Sequence, residues 1–263
     1  MWTLKSKVNK FAKKTIHLAP TFDCDKFSKI GGPPDVPAEF EWPVWNGKSL
    51  SFLMQLKFSE INSKNELPNM PTSGLMYVFY DQEQSTWGFD PADKGSWKIL
   101  FFPETDKLKM RRYPKDIKVR YKVCNLISRT INTIPTLYDK RIEALNLSEK
   151  QEDWYYDYRQ SLFEEMPAHQ IGGYPYEIQG TDMDLECELV SNGLYCGDES
   201  GYNDARAKIL EKNREDWTLL LQIDSDENYS MMWGDSGMLY FWIKKQDLEV
   251  PNFENVWMIL QCF

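Results

Sequence analysis

The chain has 263 residues, 42% of them apolar and 27% charged, which is typical of one large soluble domain or two packed halves. Its formal net charge of −9 argues against a general nucleic-acid-binding protein, because phosphate contacts need clustered Lys and Arg. No apolar run approaches the roughly 18 residues of a membrane span, and no apolar core follows the lysine-rich opening segment as in a secretory signal. The sequence therefore predicts a cytoplasmic protein without nucleic-acid or membrane partners.

The cysteines and aromatic residues bear on compartment and binding. The chain has five cysteines, an odd number, and none forms a CxxC pair, which favours reduced thiols over disulfides or zinc ligands. Aromatic residues make up 14% of the chain, and most of them are expected in the core. The alternative use of some of them is an aromatic-lined groove for a ligand or a peptide.

The first part of the chain predicts a helix, an ordered loop and several strands. Leu4, Val8 and Phe11 recur at the helical period, which predicts an opening helix that lies on the body of the protein. Residues 29–43 contain four prolines and two glycines and predict an ordered loop without regular structure beyond turns. Apolar or alternating runs then predict strands at 50–58, 75–80, 97–102 and 117–123.

From residue 136 the hydrophobic period becomes helical. Tyr138, Ile142 and Leu145 share one predicted helix face, and Ser148 with Gln151 resembles the capping box that opens a second helix. After this block, apolar runs predict strands at 217–223, 236–243 and 257–263. Because the helices separate two strand-rich regions, we predict an α+β fold with mainly antiparallel strands.

The two strand-rich regions repeat four landmarks in the same order. Each has an Ile-Gly-Gly loop, an apolar run containing Gln, a Ser-Gly pair before a strand and a final strand that begins with Trp. These matches predict an internal duplication in which both halves share one core. We predict one domain over residues 1–263, divided into half 1 at about 22–135, a helical connector at about 136–166 and half 2 at about 167–263.

The same landmarks carry a resemblance to a known family. The segments KIGGPPDVPAEFEWP, HQIGGYP, LLLQIDSD, MMWGDSGMLYFWI and NVWMILQC resemble the YwqG-like family of bacterial proteins of unknown function. The resemblance runs from about Lys29 to the C-terminus. It implies a mixed α and β single-chain fold with an internal duplication, in a soluble bacterial protein. The family has no established catalytic residues to carry over to this chain.

An acidic tract in the second half offers the strongest candidate chemistry. Asp224 and Asp226 project on one side of an extended chain, and Asp235 joins them if the intervening turn folds back. Three carboxylates would suit Ca²⁺ or Mg²⁺. The other interpretation is that these acids cap backbone amides in turns, and the EF-hand spacing that would favour a metal is absent. The sequence contains no complete metal-binding signature and indicates no cofactor.

Gln55 and Gln222 occupy matching positions in the two halves. They either line a groove near Trp42 and Trp233 or satisfy the backbone of the glycine loop in their own half, and in both cases we expect them to be buried. His169 precedes the second glycine loop. Without a nucleophile motif beside it, His169 is interpreted as a structural histidine, although it borders the candidate ligand site.

Two functions follow from these features. The first is a non-enzymatic binding protein in which an acidic, aromatic-lined groove engages a small ligand or a protein partner, such as a basic toxin attracted by the net charge. The second is a metal-assisted hydrolase that uses Asp224, Asp226 and Asp235. The candidate ligand or partner site comprises Trp42, Gln55, His169, Gln222, Asp224, Asp226, Trp233 and Asp235.

Overall fold

The computed structural model describes residues 2–23, 25–163, 167–249 and 251–263. The strands in these ranges are β1 Lys13–Thr21, β2 Lys29–Ile30, β3 Asp35–Val36, β4 Val44–Trp45, β5 Lys48–Ser49, β6 Ser51–Lys57, β7 Leu75–Tyr80, β8 Trp97–Phe102, β9 Lys109–Met110, β10 Cys124–Thr133, β11 Gln170–Ile171, β12 Trp217–Asp224, β13 Met238–Lys244 and β14 Trp257–Gln261. The α-helices are α1 Trp2–Val8, α2 Phe58–Ile61, α3 Lys140–Glu143, α4 Glu149–Ser161, α5 Met183–Ser191, α6 Ala207–Leu210 and α7 Lys245–Glu249. Short 3-10 helices lie at Asn9–Phe11, Pro91–Asp93, Glu211–Asp216, Glu227–Tyr229 and Phe253–Asn255.

One large antiparallel sheet dominates the molecule. Its ten strands run in the order β14-β13-β12-β11-β1-β10-β2-β6-β7-β8, and each neighbouring pair is antiparallel. Helices hold 25% and strands 28% of the structure, which confirms a mixed class with mainly antiparallel strands. Within this sheet the strands of the first half lie on the β10 side and those of the second half on the β1 side, while β3 pairs with β9 and β4 with β5 in two separate small sheets.

The sheet is nearly closed, because its two end strands meet at a pair of tryptophans. Trp97 opens β8 and Trp257 opens β14, and their rings pack edge to face with centroids 5.0 Å apart. The Trp97 Nε1 donates to Val256 O at 2.9 Å, and the Trp257 Nε1 donates to Gly88 O at 2.8 Å. The segment around Gly88 also pairs with the outer edge of β14, where the Leu260 N–H donates to Trp87 O at 3.0 Å.

Equivalent local geometry recurs on both sides of the β1–β10 pair. The pairing of β6 with β7 shifts register between Phe52 and Met54, and that of β12 with β13 shifts between Leu219 and Leu221. Each bulge turns a carbonyl towards a glycine loop. Gly31 N donates to Leu53 O at 2.9 Å, and Gly172 N donates to Leu220 O at 3.1 Å. The landmarks predicted from the sequence therefore occupy matching places in the sheet, while their origin by duplication stays a prediction.

The core contains residues of both halves, and several of its strands are covered on both faces. In β7, Met76, Val78 and Tyr80 face the main cluster, which also contains residues of β12, β13 and β14. The alternate residues Leu75, Tyr77 and Phe79 face a second cluster with Phe40 and Phe52. This period of two follows from the pleat of a strand, and it explains why the run reads as continuously apolar.

The predicted helical connector forms α3 and α4. The Ser148 N–H donates to the Gln151 Oε1 at 3.0 Å, and the Ser148 side chain accepts from the Gln151 N–H, which completes the capping box predicted from the sequence. α4 packs with α1 in a third cluster that includes Leu4, Val8 and Tyr155. Residues 164–166, at the end of the predicted connector, lie outside the described residues. None of the helices in the described ranges combines the length and apolar character needed to cross a membrane.

Two expectations about elements need correction, and two elements were not predicted. Residues 29–43, predicted as a loop without regular structure beyond turns, contain the short strands β2 and β3. Residues 117–123, predicted as a strand, have irregular backbone, and the strand begins at Cys124. The opening helix is confirmed as α1, but β1 follows it directly and occupies the centre of the sheet, which the sequence did not indicate. The acidic segment after Asp182 forms helix α5, whose Met183, Cys187 and Leu189 are buried.

Candidate functional site

The end of β12 brings together three of the predicted site residues. Asp224 N donates to His169 Nδ1 at 3.0 Å, and the Asp224 carboxylate accepts the Ala168 N–H at 2.8 Å. The Trp233 Nε1 donates to Asp224 O at 3.1 Å. All three side chains are buried, so these contacts join the acidic tract to the chain entering the second glycine loop.

Burial shifts the pKa values of His169 and Asp224. Burial, together with nearby His17, lowers the pKa of His169 to about 3, so this imidazole is neutral at ordinary pH. Since its Nδ1 accepts a hydrogen bond, the proton lies on Nε2, which has no hydrogen-bond partner in the described part of the chain. Burial also raises the pKa of Asp224 to about 6, although the Ala168 N–H favours the charged form. His169 is held as a structural group, as expected.

Asp226 and Asp235 do not join Asp224 as a ligand set. Asp226 caps a 3-10 helix, because its carboxylate accepts the Asn228 N–H at 2.9 Å. Asp235 is exposed, and its backbone carbonyl accepts the Phe263 N–H at 3.0 Å. Within the described ranges, no group of three or more His, Cys, Asp or Glu side chains is placed to hold a metal ion. The capping interpretation fits Asp224 and Asp226, and the hydrolase hypothesis loses its donor set.

Gln55 and Gln222 each brace the glycine loop of their own half. Gln55 accepts the Asp35 N–H at 2.9 Å and donates to Phe27 O at 2.9 Å. Gln222 accepts the Tyr176 N–H at 2.9 Å and donates to Ala168 O at 2.8 Å. Both side chains are fully buried, as predicted. Their polar atoms are thus used by the backbone and do not line a groove between the halves.

Trp42 and Trp233 belong to different clusters. Trp42 packs on Phe79 and Tyr113, and its Nε1 donates to Leu50 O at 2.9 Å. Trp233 is fully buried in the main core, with its ring edge to face with those of Tyr80 and Tyr121. The expectation that these tryptophans line one groove is therefore wrong, because each serves its own core.

The acidic tract that follows Asp224 is fastened to the first half. The Gln84 side chain donates to Met232 O at 2.8 Å and accepts the Gly234 N–H at 3.3 Å. The Ser225 hydroxyl donates to Gly237 O at 2.7 Å and accepts the Trp233 N–H at 3.0 Å. These contacts give the tract a defined structural role in joining the two halves.

A cavity of about 640 Å³ lies elsewhere, beside the centre of the sheet. Its walls come from the segment before β1, from β1 and β10, and from the C-terminal end of α4 with the chain that follows. Ala12, Ile134, Leu162 and Phe163 supply apolar surface. The polar lining comprises Asn9, His17, Arg129, Thr130, Asn132, Tyr158 and Ser161.

Strand register positions the two nitrogen-rich side chains of this cavity. His17 on β1 lies directly opposite Arg129 on β10, so both project from the same face of the sheet. The His17 Nε2 lies 3.0 Å from Pro167 O, and since a carbonyl only accepts, Nε2 carries a proton. Tyr158 of α4 reaches across the cavity wall, where its hydroxyl donates to Asn9 Oδ1 at 2.9 Å.

None of the polar residues of this cavity was a predicted site residue. They come from parts of the chain more than a hundred residues apart: the Tyr158–Asn9 contact alone spans 149 residues. One signal was present in the sequence. Residues 1–22 contain five lysines and no Asp or Glu, which is unusual in a chain of net charge −9.

The comparisons with known proteins identify a family for the chain. A sequence model of the family described as domain of unknown function DUF1963 matches residues 28–262, from just before β2 to the end of β14. No curated protein matches the chain. The segment with α1 and β1, which supplies Asn9 and His17 to the cavity, precedes the matched range. Because the match covers most of the chain, the protein belongs to this family of domains of unknown function.

Proposed function

We propose that the protein is a non-enzymatic binding protein that takes a small polar ligand into the cavity beside α4. The single observation that carries this proposal is a cavity of about 640 Å³ in which polar side chains converge from three separate parts of the fold. Ligand pockets typically have about 300–1,000 Å³ and combine an apolar lining with a few placed polar groups. The cavity has both properties.

The residues that were candidates for catalysis use their polar atoms in hydrogen bonds to the backbone. Asp224 and Asp226 accept backbone N–H groups, and the neutral His169 accepts from the Asp224 backbone. Their hydrogen bonds hold loops in place. The proposed ligand site therefore differs from the groove expected near Trp42 and Trp233. Its histidine is His17, not His169.

Filling the cavity tests this proposal. Ala12 lines it, so Ala12→Trp would occupy the space that a ligand needs, while Ala92→Trp places the same side chain at an exposed position in a 3-10 helix. We expect members of a small-metabolite library to raise the thermal unfolding temperature of the wild type and Ala92→Trp, but not that of Ala12→Trp. Circular dichroism without ligand checks that both variants are folded. Equal responses from both variants would contradict the proposal.

A protein partner is a second candidate, favoured by one surface. Residues 182–204 contain seven acidic residues and no Lys or Arg. Glu188 is buried against Lys244 and two others pair with Arg214, but Asp198 and Glu199 are exposed. In the same segment Tyr195 and Tyr202 are 44% and 38% exposed. A basic, toxin-like partner would be attracted by such a surface. Asp198→Lys with Glu199→Lys should then weaken capture of basic proteins at low salt, and unchanged capture would count against this candidate.

We further propose that the chain arose by internal duplication within one domain, with halves of about 22–135 and 167–263. Support comes from the matched contacts of Gln55 and Gln222 and from a third pair, in which the Tyr77 hydroxyl donates to Asp35 O at 2.7 Å and the Tyr240 hydroxyl donates to Tyr176 O at 2.5 Å. Superposition of the two halves should pair Gln55 with Gln222. A best superposition that pairs other residues would argue against duplication.

A further inference from the structure

We propose that residues 107–122, termed the basic strip, bind the surface of an anionic phospholipid membrane. The strip shares no residue with the lining of the cavity beside α4, so this inference adds a second function to the one proposed above. It follows from the charge of the strip, from the way in which the fold assembles it and from the apolar side chains that lie among its cations.

The basic strip is opposite in charge to the chain as a whole. It reads KLKMRRYPKDIKVRYK and thus holds eight of the 31 Lys and Arg residues within 16 positions. All eight are exposed, and in the described part of the chain none of them forms an ion pair. The one acidic residue, Asp116, directs its carboxylate at Ser49, whose N–H and hydroxyl donate to it at 2.8 and 3.0 Å.

The fold brings the two parts of the strip together beside the first glycine loop. In the earlier part, the Arg111 N–H donates to Pro34 O at 2.8 Å. In the later part, Tyr121 O accepts the Gly32 N–H at 3.0 Å. Between them, the Tyr113 hydroxyl donates to Gly32 O at 2.6 Å. The strip therefore forms one basic surface around this loop instead of two separate charged turns.

Burial directs the cations of the later part towards solvent. Ile117 and Tyr121 are only 3% and 4% exposed, whereas the alternate residues Lys118, Arg120 and Lys122 are exposed. The backbone is thus anchored by apolar side chains on one side and presents cations on the other. Because the fold holds this backbone, the charges are arranged before any partner binds, which lowers the entropy that binding must lose.

The net charge of −9 does not prevent contact with an anionic surface. Charges are screened over about 8 Å at physiological ionic strength, so a membrane interacts mainly with the side chains that face it. Three exposed acids in neighbouring segments, Glu39, Glu41 and Asp106, lessen the local charge but are outnumbered by the eight cations. Each Lys or Arg near an anionic leaflet raises the binding constant about fivefold.

Exposed apolar side chains favour a membrane over a nucleic acid as the partner. Met110 lies among the cations and is 60% exposed, and Val123, directly after the strip, is 57% exposed. Aliphatic side chains beside cations can enter the headgroup region of a bilayer. Single-stranded nucleic acid instead needs free aromatic faces for its bases. The ring of Tyr113 already packs against Trp42 and Arg120, and the second tyrosine of the strip is buried.

Vesicle flotation tests this proposal. The vesicles contain phosphatidylcholine alone or phosphatidylcholine with about one third phosphatidylserine. A fluorescent single-stranded oligonucleotide, followed by anisotropy, serves as the alternative polyanion. The first variant removes three cations of the strip and combines Lys109→Gln, Lys118→Gln and Lys122→Gln. Its matched control has the same net charge but changes three exposed lysines outside the strip, Lys150→Gln, Lys208→Gln and Lys212→Gln. Circular dichroism confirms the fold of each variant.

We expect the wild type and the matched control to float with the anionic vesicles, not with phosphatidylcholine alone, and to be released as salt is added. The strip variant should bind about a hundredfold more weakly, because it loses three cations. Met110→Ser combined with Val123→Ser should weaken vesicle binding by about fivefold. Ile209→Ser, which changes a side chain outside the strip that is 66% exposed, should leave binding unchanged.

Three results would overturn the proposal. The first is no binding of the wild type to anionic vesicles, and the second is equal weakening in the strip variant and its matched control, which would reduce the effect to overall charge. The third is an oligonucleotide that binds the wild type more tightly than the vesicles do and loses affinity in the strip variant, which would assign the strip to nucleic acid. Vesicle binding that is unchanged by the two serine substitutions would overturn the choice of a bilayer over other polyanions.

Discussion

Replacing Asp224 with asparagine tests how far the buried, charged carboxylate lowers the free energy of unfolding. The Asp224 residue is 6% exposed, and burial raises its pKa from 3.8 to about 6. A pKa change of this size corresponds to about 3 kcal/mol. Asparagine has nearly the same shape and keeps an oxygen that can accept the Ala168 N–H. The substitution therefore removes the charge with little change in packing.

The dependence on pH follows from the direction of this pKa change. Because the pKa is higher in the folded than in the unfolded protein, the folded state binds more protons between pH values of about 4 and 6. The carboxyl group therefore makes its full contribution to stability below this window, and the wild type loses that contribution as the pH rises through it. The asparagine variant has no such loss. We expect its free energy of unfolding, relative to the wild type, to rise by about 2 kcal/mol between pH 4 and pH 7.

Urea unfolding followed by circular dichroism at several pH values measures this difference, and the contributions of all other titrating groups cancel between the two proteins. The control is Asp235→Asn, the same substitution at an exposed carboxylate of the same tract. A pH-independent offset added to the expected rise would reflect altered hydrogen bonds of the asparagine side chain. A difference that is flat with pH, or that falls as pH rises, would refute the reasoning from burial.

Two further predictions concern the parts that hold the sheet together. Gln222→Leu leaves one backbone N–H and one backbone carbonyl without their hydrogen-bond partner. It should therefore lower the free energy of unfolding, measured by chemical denaturation, by about 3 kcal/mol. Gln55→Leu should lower it by about the same amount, because the two contacts of Gln55 are equivalent. A cost below about 1 kcal/mol in either variant would contradict the bracing role. Gly88 has φ +86°, and a Cβ there would lie 1.8 Å from Met258 O, so Gly88→Ala should destabilise the closure of the sheet by more than about 2 kcal/mol. Gly193→Ala is the matched control, because φ is +85° but no atom lies within 4 Å of the added Cβ, and it should cost only about 1 kcal/mol. Equal losses at the two glycines in thermal unfolding would show that the contact with Met258 is unimportant.

Long apolar runs made most strands predictable. The run at 75–80 became β7 with the same bounds, and that at 97–102 became β8, because both carry strand formers and end at turn residues. The helix α4 was predictable from its capping box. In these segments local preference and tertiary burial agree, so the sequence pattern was sufficient.

The missed elements are those in which tertiary contacts override local pattern. β1 reads KKTIHLAPT, with two lysines at its start and a proline near its end, yet it pairs on both sides with strands from distant parts of the chain. α5 contains three acidic residues, and the buried Glu188 is satisfied mainly by the Lys244 ammonium and the Trp217 N–H at 2.8 Å each. Neither partner set could be read from neighbouring residues.

The contacts at the end of β12 could be predicted in part. The sequence correctly grouped Asp224, His169 and Trp233, because all three flank the second glycine loop and the strand that follows it. It could not show that their polar atoms are used by the backbone. The cavity beside α4 was not predictable, since its walls meet only after β1 has paired with β10 and α4 has packed over the end of that pair.

The central position of β1 has a consequence for how the protein can be divided. β1 comes before residue 28, where the match to the family begins, yet it joins β10 to β11, and the buried Thr15 and Thr133 hydroxyls lie 2.9 Å apart across 118 residues of sequence. A fragment limited to residues 28–262 would lack this strand and would leave β10 and β11 with unpaired edges in the middle of the sheet. Such edges pair readily with other chains. We therefore expect this fragment to aggregate or to recruit a strand from a second copy, and the amino-terminal residues to be an indispensable part of the folding unit.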